Sequence, residues 1–304
     1  MKVLVTGGAG FIGTNLVNVL KKKSHDVWIC DLLHNHLENY LRADVSKIRQ
    51  LEKIFESHKF DFVYHLAAEY GRWNGEDYYE NLWNTNVIGT KNMIRMQERF
   101  KFKMIAFSSS EVYGDYEGIM KEEIMDTNEI KQMNDYAMTK WVNEMQVLNS
   151  ADMHGTETVR VRPINCYGPF EHYTPYRGFV PKFIYCTMFD KPYKVYSKHT
   201  RTIDYVEDTC RTFANIIDNF IPGEVYNVGG MKETSVRYIS DFILKYLNKD
   251  NSLVTYEDYE PFTTKKKIID NSKAVRDLDH KPITSPEEGI SKTIEWFKKT
   301  YQKN

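Results

Sequence analysis

None of the first 162 residues is proline, and all nine prolines fall between Pro163 and Pro286. A stretch of that length without the residue that deletes a backbone donor can run unbroken strands and helices. Here the two alternate. Lys2 to Thr6, Asp26 to Cys30, Asp61 to Leu66, Lys103 to Phe107 and Thr156 to Arg162 are short β-branched or aromatic runs that read as strands. Between them Phe11 to Lys23, Ser46 to His58, Tyr78 to Phe100 and Glu129 to Met153 carry apolar residues at helical spacing. Strand and helix in turn predict an α/β fold built on a doubly wound parallel sheet. After Arg162 the prolines and the aromatics Tyr167, Phe170, Tyr173, Tyr176 and Phe179 predict a smaller α/β lobe with long loops. The expected division is residues 1–165 and 166–304, with the chain free to cross back.

Charge excludes some partners. With 41 basic and 42 acidic residues the net charge is -1, so no single-sign field marks a nucleic-acid groove or an anionic membrane surface. The one basic tract, Lys265-Lys266-Lys267, reads as a solvated strand edge. Cys30, Cys166, Cys186 and Cys210 stand far apart, so they build no local zinc site or redox dithiol, and reduced thiols in a cytoplasmic protein are expected. Met1-Lys2 leads directly into a strand with no leader-like apolar region, and no apolar run approaches the roughly 18 residues of a membrane span. His34-Asn35-His36 offers two ligands without an acidic third and reads as loop, so no metal is expected.

The first strand runs straight into Gly7-Gly8-Ala9-Gly10-Phe11-Ile12-Gly13, which opens the first helix. The first glycine makes the tight turn, the second admits a pyrophosphate to the helix N-terminus, and the third lets helix and strand pack closely. The second strand ends in Asp31, 18 residues beyond Gly13, where a carboxylate meets ribose hydroxyls and repels a 2′-phosphate. No arginine or lysine follows before Arg42. The reading is a Rossmann-type domain that binds NAD in preference to NADP. Asp44-Val45 is placed either to touch adenine or to cap the helix after it.

Tyr136 and Lys140 stand four apart on one helical face. A phenol beside an ammonium and an oxidised nicotinamide is drawn below its usual pKa of about 10 and becomes a base near neutrality. Ser109 leaves the end of the strand Lys103 to Phe107, 27 residues earlier. In an open parallel sheet that end faces the ligand, so its hydroxyl can meet the same substrate oxygen.

With these residues in view the chain resembles the extended short-chain dehydrogenase/reductases that act on nucleotide sugars. The resemblance runs through Gly7 to Gly13, Asp31, His65-Leu66-Ala67-Ala68, Asn86-Val87-Ile88-Gly89-Thr90, Ser109, Val112-Tyr113-Gly114-Asp115, Tyr136 and Lys140. It continues in Arg162 to Pro169, Arg201 with Tyr205-Val206-Glu207-Asp208, and Tyr226-Asn227-Val228-Gly229. It implies that NAD is held by the glycine turn with Phe11, Ile12, Asp31, Asp44, Val45, Leu66, Ala67, Ala68, Asn86, Tyr136, Lys140 and Pro163. It also implies a common first step in which Tyr136 removes the proton of the sugar 4-hydroxyl while hydride leaves C4.

Beyond the 4-keto sugar the family's reactions diverge. In the 4,6-dehydratases the catalytic segment resembles Thr-Asp-Glu, the Asp protonating the departing hydroxyl and the Glu removing the C5 proton, whereas here it is Ser109-Ser110-Glu111, which keeps Glu111 as a catalytic candidate or as a carboxylate holding the local loop. A serine hydroxyl is a poor acid, which favours an epimerase or simple C4 oxidoreductase. Ser-Glu before Val-Tyr-Gly also looks like UDP-glucuronate decarboxylases, and decarboxylase and dehydratase stay as alternatives. A catalytically silent NAD sensor is the rival of another class, and the intact Ser109, Tyr136 and Lys140 speak against it. Ser110, Asn165, Arg177 and Arg201 are implied contacts of the diphosphate and sugar, and Glu69 to Gly75 reads as a sugar-contacting or closing loop. The helices Tyr78 to Phe100 and that of Tyr136 are implied as the four-helix seam of a homodimer or higher homo-oligomer.

Overall fold

The computed structural model describes residues 1–261, 263–264 and 266–302. Its centre is a seven-stranded sheet in the order Val225–Val228, Thr158–Pro163, Lys103–Phe107, Phe62–His65, Lys2–Thr6, Asp26–Asp31, Tyr40–Arg42. Every pairing in it is parallel. The alternation of strands and helices forces this, because parallel neighbours need a crossover, and each crossover helix covers one face. Successive side chains of the first strand serve both faces: Val3 and Val5 enter one apolar core and Leu4 the other. Phe11–Lys22 and Val206–Asn215 pack on the first face. Ile48–Ser57, Gly89–Phe100 and Asp135–His154 pack on the second. The strand order turns back at Lys2–Thr6, which opens a crevice beyond the carboxyl ends of the strands.

Two predicted helices are shorter or broken. Tyr78 to Phe100 divides into Tyr79–Trp83, a wide π turn at Asn84–Ile88, and Gly89–Phe100. At the π turn Asn86 points inward and is fully buried, its amide bonded to the Glu69 backbone and to Thr139. The wide turn, Asn84-Thr85-Asn86-Val87-Ile88, holds no proline or glycine that would mark it in the sequence. The helix expected from Glu129 begins at Asp135, because Asn134 caps it by accepting the Ala137 amide at 2.9 Å. The predicted loop after Glu69 contains a short helix, Arg72–Asp77.

The second lobe has its own core between Phe179–Met188, Val236–Tyr246 and Pro286–Tyr301. Beside it lies a four-stranded sheet ordered Glu233–Ser235, Thr200–Thr202, Lys266–Ile269, Ile119–Met120. The basic tract therefore does not form a solvated strand edge. Lys266–Ile269 is an inner strand, and its alternation leaves Lys266 in water while Lys267 is buried, 4% exposed. Lys265 lies outside the described residues. All four cysteines are free thiols, and among the described residues no helix is long and apolar enough to cross a membrane.

Candidate active site

A cleft of about 660 Å³ opens at the crevice of the central sheet. Gly7, Gly10, Phe11, Ile12 and Gly13 line it beside the N-terminus of Phe11–Lys22. Gly7 has φ 69°, and a Cβ there would stand 2.8 Å from the Ala67 amide nitrogen. A Cβ on Gly13 would collide with the Gly7 carbonyl. The turn thus presents bare backbone amides to the cleft, which fits a pyrophosphate. Asp31, Asp44 and Val45 line the cleft too, as do Leu66, Ala67 and Ala68 at the end of Phe62–His65. Asp31 accepts the Ala9 amide at 3.0 Å and the Leu32 amide at 2.8 Å, tying the glycine turn to the second strand. Asp44 accepts the Ser46 amide at 2.8 Å in a turn ahead of the helix, whose own cap is Lys47. Asn86, expected at the cofactor, instead braces Glu69 against Thr139 and lines neither cavity.

Tyr136, Lys140 and Pro163 complete the cleft. Extended backbone at Ser109, just past Lys103–Phe107, puts its hydroxyl within hydrogen-bonding reach of Tyr136. The expected lowering of the phenol is not a property of the protein alone. Burial pushes Tyr136 up to about 12; Ser109 opposes this and the Glu111 carboxylate adds to it. Lys140 is 5.8 Å from the Tyr136 ring centre and donates to the Phe107 carbonyl at 2.9 Å. Burial draws Lys140 down to about 8, against the pull of Glu144 one turn on. Glu144 anchors the strand ends below: it accepts Arg162 Nε at 2.9 Å, Arg160 at 3.1 Å, and the Ser108 hydroxyl.

A second cavity, about 410 Å³, meets the cleft at Ser109, Tyr136, Pro163, Asn165, Glu171 and Arg177. Tyr136 therefore stands where the two join. Ser110 and Arg201 line the second cavity. Asn165 is held by the Thr202 carbonyl at 2.9 Å, and the Arg177 guanidinium lies over the Tyr70 ring at 3.6 Å. Arg201 donates to the Thr200 carbonyl at 2.8 Å and to His199 Nδ1 at 2.5 Å.

Three further residues stand here: Lys267 and Glu171, which carry no signal in the sequence, and Arg72, which lies in the loop read as sugar-contacting or closing. Lys267 is the register partner of Arg201 and forms an ion pair with Glu111. Burial alone would raise Glu111, but Lys267, with Arg72 and Arg201 farther off, holds its carboxyl below the usual range. Arg72 pairs with Glu260 at the same end. Glu171 is 5% exposed, burial raises it to about 8 against Arg177, and its Oε2 has no hydrogen-bond partner among the described residues. Like charges on adjacent strands become visible only once register is known.

A glycine turn, a strand-end serine and a Tyr-Lys helix around two joined cavities define a dinucleotide-dependent enzyme. The chain belongs to the NAD dependent epimerase/dehydratase family, whose model matches residues 3–229. It is 29% identical over 320 residues to a UDP-N-acetyl-alpha-D-glucosaminuronate decarboxylase of Bacillus cytotoxicus, covering 98% of each chain. A dTDP-glucose 4,6-dehydratase of Salmonella typhimurium is 27% identical over 98% of this chain and 92% of its own. The crystal structure of a Thermotoga maritima UDP-glucose 4-epimerase with UDP-glucose superposes with a TM-score of 0.88 at 26% identity, over 99% of each chain. Three different reactions stand at nearly equal similarity.

Proposed function

We propose that this enzyme oxidises C4 of a nucleoside-diphosphate sugar to a 4-keto sugar. The observation that carries this reading is Tyr136, within reach of the Ser109 hydroxyl at the junction of the cofactor cleft and the second cavity. The glycine turn, Asp31 and Lys140 would hold NAD, which when bound supplies an acceptor for the C4 hydride and a positive charge beside the phenol. Tyr136 takes the 4-hydroxyl proton, and Ser109 orients that oxygen. Lys140 contributes an ammonium close enough to favour the phenolate. Arg177, Arg201 and Asn165 would take the diphosphate and sugar, the guanidinium forks suiting paired phosphate oxygens.

The sequence favours an enzyme that returns hydride to the ketone, as an epimerase or C4 oxidoreductase. A second reading has one specific support. The ion pair of Glu111 with Lys267 puts an ionised carboxylate beside Tyr136, suited to chemistry at a carbon next to the ketone, with loss of water or carbon dioxide. Incubating the purified protein with UDP-, dTDP- and GDP-sugars and weighing the products separates them. Unchanged mass means epimerisation, and loss of two hydrogens, water or carbon dioxide means oxidation, dehydration or decarboxylation. A panel left wholly unreacted would contradict the reading.

We also propose a cytoplasmic homodimer. Free thiols suit a reducing compartment, and Ile88, Met138 and Met145 are 48%, 39% and 44% exposed on the helices named for the seam.

A further inference from the structure

Glu171 lines both the cofactor cleft and the second cavity, and the reaction proposed above gives it no task. Its side chain is 5% exposed, and its buried Oε2 meets no hydrogen-bond partner among the described residues. A buried polar group left this way costs free energy until a ligand satisfies it. Arg177, whose charge reaches it, is turned over the Tyr70 ring at 3.6 Å. The backbone is bent to put Glu171 there: Phe170 has φ 70°, a left-handed conformation that a bulky residue seldom takes. Asn15, on the helix that follows the glycine turn, donates to the Pro169 carbonyl at 3.0 Å, so the turn carrying Glu171 is fastened to the cofactor side of the junction.

We propose that Glu171 recognises the nicotinamide end of the cofactor through its primary carboxamide. With Asp31 at the adenosine ribose and the glycine turn at the pyrophosphate, the nicotinamide falls at the far end of the cleft, where Tyr136 and Glu171 stand. A primary carboxamide presents a carbonyl and an N–H side by side, and a carboxylic acid presents the complementary O–H and carbonyl. The acid O–H donates to the amide carbonyl and the acid carbonyl accepts the amide N–H, so one side chain fixes the rotation of the ring. Burial keeps Glu171 in that acid form at neutral pH, raising it to about 8 against the Arg177 charge. This rests on the nicotinamide lying beside Tyr136, and not on which sugar reacts or on what becomes of it.

The test reads cofactor binding alone. Full-length enzyme is loaded with NADH, and the loss of its bound fluorescence is followed as NAD, 3-acetylpyridine adenine dinucleotide or ADP-ribose displaces it. The acetyl group keeps the carbonyl but has no N–H, and ADP-ribose lacks the nicotinamide altogether. Wild type is expected to prefer NAD to the acetyl analogue about tenfold, the effect of leaving one buried acceptor unpaired. Glu171→Gln keeps that preference, because a side-chain amide also offers a donor and an acceptor to a carboxamide. Glu171→Leu and Glu171→Met bring the two dinucleotides within about twofold of each other, while ADP-ribose binds as it does to wild type and shows the cleft intact. A wild type that binds NAD and the analogue equally, or Leu and Met variants that keep the tenfold preference, overturns the proposal. In the latter case a matching loss of affinity for UDP- or dTDP-glucose assigns the carboxyl to the sugar instead. Because no turnover is read, either failure leaves C4 oxidation to be judged by its own measurement.

Discussion

In the proposed reaction a single hydroxyl, that of Tyr136, carries the chemistry, and its surroundings say what it needs. Enclosure pushes the phenol up to about 12 in the protein, so Ser109 and Lys140 alone do not make it a base near neutrality. Tyr136→Phe is expected to lower turnover at least about a hundredfold with nucleotide-sugar affinity nearly unchanged, read from kcat and from calorimetry. Glu171 gives a prediction on stability. Its folded carboxyl titrates at about 8 against an ordinary 4.5, so between those values the folded chain holds a proton the unfolded chain has released. Stability from this group is full below about pH 4.5 and is lost as the pH rises to about 8. Urea unfolding of wild type and Glu171→Gln at both ends of that window should show the variant gaining on wild type as the pH rises. A constant difference would refute the assignment. Glycines, Asp31, Ser109, Tyr136 and Lys140 were legible in sequence because each sits at a fixed offset from a strand or helix end. Lys267 was not: in sequence it is one of three adjacent lysines, and only the register with Arg201 and the neighbouring Glu111 give it a role. Asn86 erred the other way, since position in a motif does not say which way a side chain turns at a π turn.

Among the elements, the helix Asp135–His154 does most to place the site, because it carries Tyr136 and Lys140 on one side and Glu144 below them. Its start is set by Asn134, one residue before the element and two before the base. Asn134→Ala should cost about 1 kcal/mol in urea unfolding and lower kcat more than it raises KM, since fraying there moves the phenol. Unchanged stability would show that the cap does not hold this end. The outer side of the same helix leaves Met138 and Met145 exposed. Met145→Glu is expected to convert the proposed dimer to monomer in light scattering, while a wild-type protein that is already monomeric would remove the dimer proposal. Most strands were legible from β-branched runs and the helices from apolar spacing, and the Tyr136 helix ends within one residue of its reading, but its start and the break at Asn84–Ile88 depend on capping and on inward-turned side chains that periodicity does not record.

On the scale of the molecule, two cavities meet beside the carboxyl ends of the parallel sheet, proposed for cofactor and substrate, and Tyr136 stands where they join. Alternation without proline made five of the seven strands readable in advance, whereas Tyr40–Arg42 is only three residues long and Val225–Val228 returns to the sheet from beyond the first proline. The substrate lobe was less so, because its strands are two to four residues long and pair across large separations, as Ile119–Met120 does with Lys266–Ile269. The central claim is that hydride leaves C4 of a nucleotide sugar inside this junction. The direct measurement uses UDP- and dTDP-sugars deuterated at C4 in a single turnover with NAD-loaded enzyme, with mass analysis of the quenched cofactor. Deuterium recovered in reduced cofactor from the wild-type enzyme, and at least about a hundredfold more slowly from Tyr136→Phe, is the predicted result. Product whose C4 deuterium is lost to solvent, with none found in the cofactor at any quench time, would contradict it.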